Sequence, residues 1–378
     1  MINIFYKIKN KINFPLKLLF QIIFILIAKN YSKYPKYVLD FERKLCSIFN
    51  SKFSLTFSSG SAACYSAIAS LYHKRGSLAF VSKLTFPSTI ISLLENNYVI
   101  KYLDFDLNFN PIFPKNITPD LIIFTHVFGF PVGFNSLEEI RRQYKDTKII
   151  FDCSHFQGAI VNDKNINEYA DISFFSIQGS KAISGGEGGF ILTNNQNYYN
   201  RMIMIAHPGR ANSEIESKYT GVSSSLKLRM HPIAAILANE SLNKLNKHNN
   251  DIKMKFEIIY KILSEHNLIK VPNIQNLSLG GFHYGLPFYS EKNFTRNIFL
   301  PINSYNWPFY EKNDFYSLEI FNSDDFIKRE EKYLEINNFV RENSDIRSRL
   351  FFIDLNWIKF NSERYLINSV EKFLKSLK

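Results

Sequence analysis

Past residue 40 the chain alternates between two apolar rhythms. Runs such as "LAFVS", "VIKYLDF", "LIIFTHVFG", "KIIFDCS", "DISFFS" and "GFILTN" have the length and near-continuous apolar character of buried strands. Between them, "SAACYSAIASLYHK", "PSTIISLLENN" and "SLEEIRRQY" read as helices. Ser136 and Glu139 form a capping-box pattern at the start of the third. Strands alternating with helices predict an α/β domain with a mostly parallel sheet.

After Met230 the rhythm changes. "HPIAAILANESLNKLNKHNNDIKMKFEIIYKILSEH" reads as one long helical stretch, with no proline after Pro232. Beyond it come a strand-like "FHYGLPFYS", a "FLPINSYNWP" loop, a charged helix near "DDFIKREEKYLEINNFVREN", a strand "RLFFIDL" and a last helix. These predict a smaller C-terminal α+β domain. The expected division is an N-terminal arm over 1–37, a large domain over 38–245 and a small domain over 246–378.

The arm carries the apolar run "FPLKLLFQIIFILIA", Phe14 to Ala28. It is shorter than the ~20 residues of an ordinary spanning helix. Lys17 and Gln21 lie four apart, on one narrow helical face. Lysines precede the run as in a signal peptide, yet no small-residue cleavage site follows. Three readings stay open: an interfacial membrane helix, a helix packed on the protein or a partner, and a signal or spanning segment.

Composition narrows the function classes. The 378 residues are 46% hydrophobic and 21% charged, which suits a folded globular chain. Seven lysines precede the first acid, Asp40, and account for 7 of the +12 formal charge, leaving +5 for the rest. The excess is therefore local, and no groove-reading or base-stacking motif accompanies it, which argues against nucleic-acid binding. Cys46, Cys64 and Cys153 lack C-x-x-C spacing. Neither a disulfide framework nor a metal site is expected, and a reducing cytoplasm fits.

Three short stretches carry candidate chemistry. In "SSGSAA" a loop enters a helix at Gly60 and Ser61, where free N–H groups and the helix dipole favour an anion; an ordinary N-cap is the plain alternative. In "FDCSH" an apolar strand delivers Asp152 to its C-terminal end, where α/β sheets bind ligands; a loop or capping aspartate is the alternative. In "SIQGSKAISGGEGGFILTNN" Lys181 precedes Gly185, Gly186, Gly188 and Gly189, a run that permits a tight turn with positive φ. A solvated lysine competes there with a Schiff-base lysine. The three in this order form the set that pyridoxal phosphate requires: an anion site for the phosphate, a carboxylate for the ring nitrogen, and an amine for the aldehyde.

With these motifs, the chain resembles the DegT/DnrJ/EryC1/StrS family of sugar aminotransferases, fold type I pyridoxal phosphate enzymes. The resemblance runs from "YPKYVLDFERKL" to the helix near residue 245 and is densest at "SSGSAA", "LTFPST", "FDCSHFQGA", "FFSIQGSKAISGGEGGFILTN" and "LRMHPIAA". It implies that Lys181 is the Schiff-base lysine and proton carrier, and that Asp152 holds the pyridinium nitrogen. It places His155 near the phenolic oxygen and stacks Phe86 on the ring. Gly60, Ser61 and Ser176 become phosphate ligands. The family's Asn-Tyr-Arg-Met pattern corresponds to Lys227-Leu228-Arg229-Met230. Its Asn reaches across a dimer to the phosphate, and here Lys227 replaces it. Family dehydratases carry His at the lysine position, so Lys181 argues for amino transfer. The resemblance further implies a homodimer, a keto-sugar nucleotide as acceptor, glutamate as donor and a role in surface glycan synthesis. Attachment at the inner membrane face through residues 1–30 is one reading of the arm. The competing readings are amination of a different carbonyl compound, and a cofactor-binding but catalytically idle assembly partner.

Overall fold

The computed structural model describes residues 18, 20–23, 36–114, 117–131, 137–158, 160–161, 164–165, 168–219, 226–272, 280, 285–290, 302–304 and 350–377. The large sheet is built from β1 (Phe53–Phe57), β2 (Leu78–Ser82), β3 (Val99–Leu103), β4 (Leu121–Thr125), β5 (Lys148–Asp152), β8 (Ile172–Ser176) and β9 (Gly189–Thr193). A small hairpin, β6 (Ile160–Val161) with β7 (Lys164–Asn165), lies outside it. The order across the sheet is β1-β9-β8-β5-β4-β2-β3. Strand β9 is antiparallel to both neighbours, and the other pairings are parallel. The C-terminal ends of β1, β2, β4, β5 and β8 therefore share one edge, and that edge holds the site.

The continuous apolar runs follow from burial on both faces. Along β4, Leu121 and Ile123 enter one buried cluster, whereas Ile122 and Phe124 enter another. The first cluster is closed by α2 (Gly60–Leu71), α3 (Pro87–Glu95) and α5 (Gln196–Ala206), through Ala67, Ile68, Leu93 and Met202. The second is closed by α1 (Lys36–Ile48), α4 (Leu137–Gln143), α7 (Pro232–Leu242) and α8 (Leu245–Ser264), through Phe41, Ile140, Ala238 and Phe256. A short helix, α6 (Ser213–Lys218), follows α5. Each fully buried large apolar side chain stabilises such a sandwich by about 1.5–3 kcal/mol.

A second, antiparallel sheet has the order β10-β11-β13-β12, from β10 (Ile269–Lys270), β11 (Gly285–Ser290), β12 (Ile302–Ser304) and β13 (Leu350–Asp354). Helices α9 (Leu355–Phe360) and α10 (Glu363–Lys375) end the chain. Leu286, Phe288, Ile353 and Phe373 join the same buried cluster as Phe41 and Phe256.

Several expectations change. The long helical stretch after Met230 is two helices, broken at Asn243 and Lys244. The "FLPINSYNWP" loop contains strand β12, paired with β13. Helices α9 and α10 stand where one last helix was expected. The charged helix near "DDFIKREEKYLEINNFVREN" and the cap residue Ser136 lie outside the described residues. Of the apolar arm, the described residues are helical; Leu18 is buried against Ile236, beside Tyr37, Ile233 and Leu237, whereas Phe20 is 67% exposed. Among the described residues no helix is long and apolar enough to cross a membrane.

Candidate active site

A cavity of about 710 Å³ opens at the C-terminal edge of the large sheet. One end is the start of α2. Ser59 is the N-cap, and its side chain accepts from the Ala62 N–H at 3.1 Å. Gly60 is required by close approach: a Cβ there would lie 2.6 Å from Ser176 Cβ, at the end of β8. Without that side chain, the start of α2, with Ser61, and the end of β8, with Ser176, line the cavity together. A helix start with hydroxyl-bearing residues beside it favours an anion by dipole and by donors.

Asp152 ends β5 and is 4% exposed. The backbone N–H of Ser154 donates to its carboxylate at 3.0 Å, and the backbone N–H of His126 donates to its carbonyl at 3.1 Å. Burial pushes the carboxyl up, opposed by the Ser154 hydrogen bonds and the Lys181 charge. A buried carboxylate in this state favours a cation placed against it.

Lys181 lines the same cavity from the turn between β8 and β9. Burial lowers its amine to about 8, with the Asp152 charge acting the other way. The neutral, nucleophilic form is therefore populated at mildly alkaline pH. The glycine run takes positive φ at two of its four positions. Gly186 and Gly188 have φ of 83° and 144°, but Gly185 and Gly189 do not take positive φ. These two are bare because backbone crowds them: a Cβ would meet Ala234 O at 2.7 Å and Ser59 O at 2.4 Å respectively.

His155 and Phe86 also line the cavity, the latter 45% exposed at the N-cap of α3, ahead of Pro87. Seven of the eight proposed site residues thus share one space: Gly60, Ser61, Phe86, Asp152, His155, Ser176 and Lys181. Lys227 does not line it; the residue is exposed and has φ of 51°. Its segment runs outside the site, where the Ser58 N–H donates to Leu228 O at 2.8 Å.

Other walls of the cavity are made by residues outside the expected set. Thr85, three residues past the end of β2, and Thr125, which ends the neighbouring β4, share a hydrogen bond of 2.8 Å, and the buried His126 follows. Burial drives the His126 imidazole down to about 3, so it stays neutral. Further lining comes from α8, β13 and α9, through His248, Phe352, and Asn356 with Lys359 respectively. Apart from His248, these residues cluster within 352–359, at the junction of β13 and α9.

The profile of the DegT/DnrJ/EryC1/StrS aminotransferase family matches residues 21–299. A GDP-perosamine synthase of Escherichia coli O157:H7 is 25% identical over 233 residues, covering 60% of this chain and 62% of that protein. A GDP-4-keto-6-deoxy-D-mannose 3-dehydratase of Escherichia coli O55:H7 is 27% identical over 202 residues, covering 50% and 52%. The matched part of the chain thus spans less than two thirds of either relative. Among solved structures, an aminotransferase from Psychrobacter cryohalolentis superposes with a TM-score of 0.74 at 16% identity, covering 97% of this chain and 98% of that one. The likeness in structure shows the fold, and the profile match, which covers most of the sequence, shows that the chain belongs to the DegT/DnrJ/EryC1/StrS aminotransferase family.

Proposed function

We propose that the protein is a pyridoxal phosphate-dependent aminotransferase that converts a keto-sugar nucleotide to an amino sugar. The observation that carries this reading is the convergence of Lys181, Asp152 and the start of α2 on one cavity. The residues fit the cofactor by their donor chemistry. The α2 N-terminus with Ser61 and Ser176 would hold the phosphate, Asp152 the ring nitrogen, Lys181 the aldehyde carbon, His155 the phenolic oxygen, and Phe86 one ring face.

When bound, pyridoxal phosphate supplies an electron sink for charge developing at the carbon that bears the amine. The protein does the rest. Asp152, screened from water, keeps a proton on the ring nitrogen. Lys181, its amine lowered by burial to about 8, would take a proton from carbon and return it. The presence of an amine at 181 favours transfer over dehydration. Relatives named for GDP-linked and dTDP-linked sugars support a nucleotide-sugar acceptor, and a related dehydratase structure with a trapped PLP–glutamate adduct supports glutamate as donor.

The same reading makes the working unit a cytoplasmic homodimer, acting in surface glycan synthesis. Lys227, exposed and outside its own cavity, is then available to a second copy's phosphate site. The arm is proposed to contact an anionic membrane surface peripherally, on the strength of its seven lysines and the exposed Phe20 and Ile23. Co-sedimentation with anionic vesicles that weakens with salt, and is lost on deleting residues 1–30, tests this. Unfolding on deletion, with no vesicle binding by the intact chain, assigns the arm to the core through Leu18.

The enzyme itself is tested by absorbance. The holoprotein should show a visible band that glutamate removes and a keto-sugar nucleotide restores. A band that glutamate removes, but that only other carbonyl compounds restore, assigns a different acceptor. A band that no amine donor alters identifies a catalytically idle homologue.

A further inference from the structure

The motif "FDCSHFQGA" contains a residue that the reading above leaves without a role. Gln157 is wholly buried, five residues after Asp152, and both ends of its carboxamide are used. Its Nε2 donates to the carbonyl of Ser176 at 2.7 Å, and its Oε1 accepts from the N–H of Ile183 at 2.6 Å. Its own carbonyl accepts from Asn249 Nδ2, on α8, at 2.8 Å. Gln157 therefore ties the strand end that carries Ser176 to the loop that carries Lys181, and anchors both to α8.

The loop has further fastenings. The Ser184 N–H donates to Ser241 Oγ at 2.8 Å, and the Lys181 N–H donates to Gln178 O at 2.9 Å. Ile183 itself is fully buried. Of these fastenings the Gln157 bridge is the one that reaches Ser176, at the anion end of the cavity, and Ile183, two residues from the lysine.

We propose that Gln157 is a positioning residue, whose carboxamide fixes the distance between the phosphate-binding end of the site and the Lys181 amine. The proposal rests on the aminotransferase reading. The physical reason is register. A cofactor held at its phosphate presents its aldehyde at a fixed span, and the amine has to meet it there. A misplacement near 1 Å can cost about a hundredfold in rate. The bridge is also directional, since one end must donate and the other accept. A carboxylate would set an acceptor against the Ser176 carbonyl, and a thioether would satisfy neither end.

The test uses the full chain, stripped of cofactor and then given pyridoxal 5′-phosphate. Borohydride fixes the pyridoxyl group on lysine at timed intervals, and mass spectrometry follows the peptide with Lys181. Gln157→Met keeps the side chain's length and removes both bonds. It should fix the group at Lys181 at least tenfold more slowly than the parent, and lower kcat with little change in KM. Gln157→His, which keeps one donor and one acceptor, should recover most of the rate. Fixation and kcat at parental values in Gln157→Met overturn the proposal. If that variant does not fold, amide exchange in the unaltered protein decides: Ile183 N–H should exchange only through global opening, and exchange as fast as a surface loop overturns the bridge. No pyridoxyl group on Lys181 in the parent itself would instead refute the aminotransferase reading.

Discussion

Replacing Asp152 with Asn separates a catalytic role from a structural one. The change keeps shape and leaves an oxygen to accept the Ser154 N–H, now at 3.0 Å. It removes one negative charge from a position only 4% exposed. Loss of a preorganised charge in such a site costs about 3–4 kcal/mol of barrier, or about two orders of magnitude or more in kcat. Stability should move the other way. Burial raises the Asp152 carboxyl above its unfolded value, so the folded chain holds that proton more tightly. Above its raised value the ionised carboxylate therefore costs folding free energy. The cost disappears as pH falls through the interval from the raised value to the ordinary one. Cofactor-free Asp152→Asn should thus melt at or above the parent temperature at pH 7 to 8, and the gain should vanish in acid. Stopped-flow measurement of the glutamate half-reaction, beside thermal unfolding of the cofactor-free protein, reads both. A variant that keeps its rate but melts lower would show that Asp152 merely caps its strand, and the reasoning would fail.

Four further outcomes follow from the same geometry. Gly60→Ala forces a methyl group against Ser176, an overpacking of about 1–3 kcal/mol; pyridoxal phosphate should bind about tenfold or more weakly in a fluorescence titration, and unchanged affinity would contradict the anion site. In cofactor-free protein, acylation of Lys181 should rise with pH around a midpoint of about 8, well below an exposed lysine at about 10.4. In Asp152→Asn that midpoint should fall further, because the Asp152 charge holds it up. Arg210 donates to both oxygens of Glu42 at 2.9 and 2.7 Å in a buried pair; Arg210→Ala should cost about 3 kcal/mol or more in urea unfolding, without altering the Lys181 midpoint.

Much of the fold was legible because most strands of the large sheet are buried on both faces and flanked by amphipathic helices. "LAFVS" and "DISFFS" announce themselves as apolar runs, and β2 and β8 fall on them. Strand β1 was not read: "FSLTF" sits ahead of a serine-rich turn and alternates apolar with polar residues, although Ser54 and Thr56 are both buried. The break at Asn243 and Lys244 left no trace, because Leu242 and Leu245 keep helical spacing across it and both are buried. In the site, Gly60, Asp152 and Lys181 were readable because each sits at a junction whose local pattern states its position. His126, Gln157, His248 and Lys359 were not. Each is a single polar residue whose place depends on which strand ends and helices the topology brings together.

The most direct test of the account is the address of the cofactor link. The holoprotein is reduced with borohydride, digested, and mapped for a pyridoxyl-lysine. One modified residue is expected, Lys181, and none when Lys181 is replaced by Ala in a chain that still folds. A pyridoxyl group on another lysine, such as Lys359 of the same cavity, or no modified lysine at all, would contradict it.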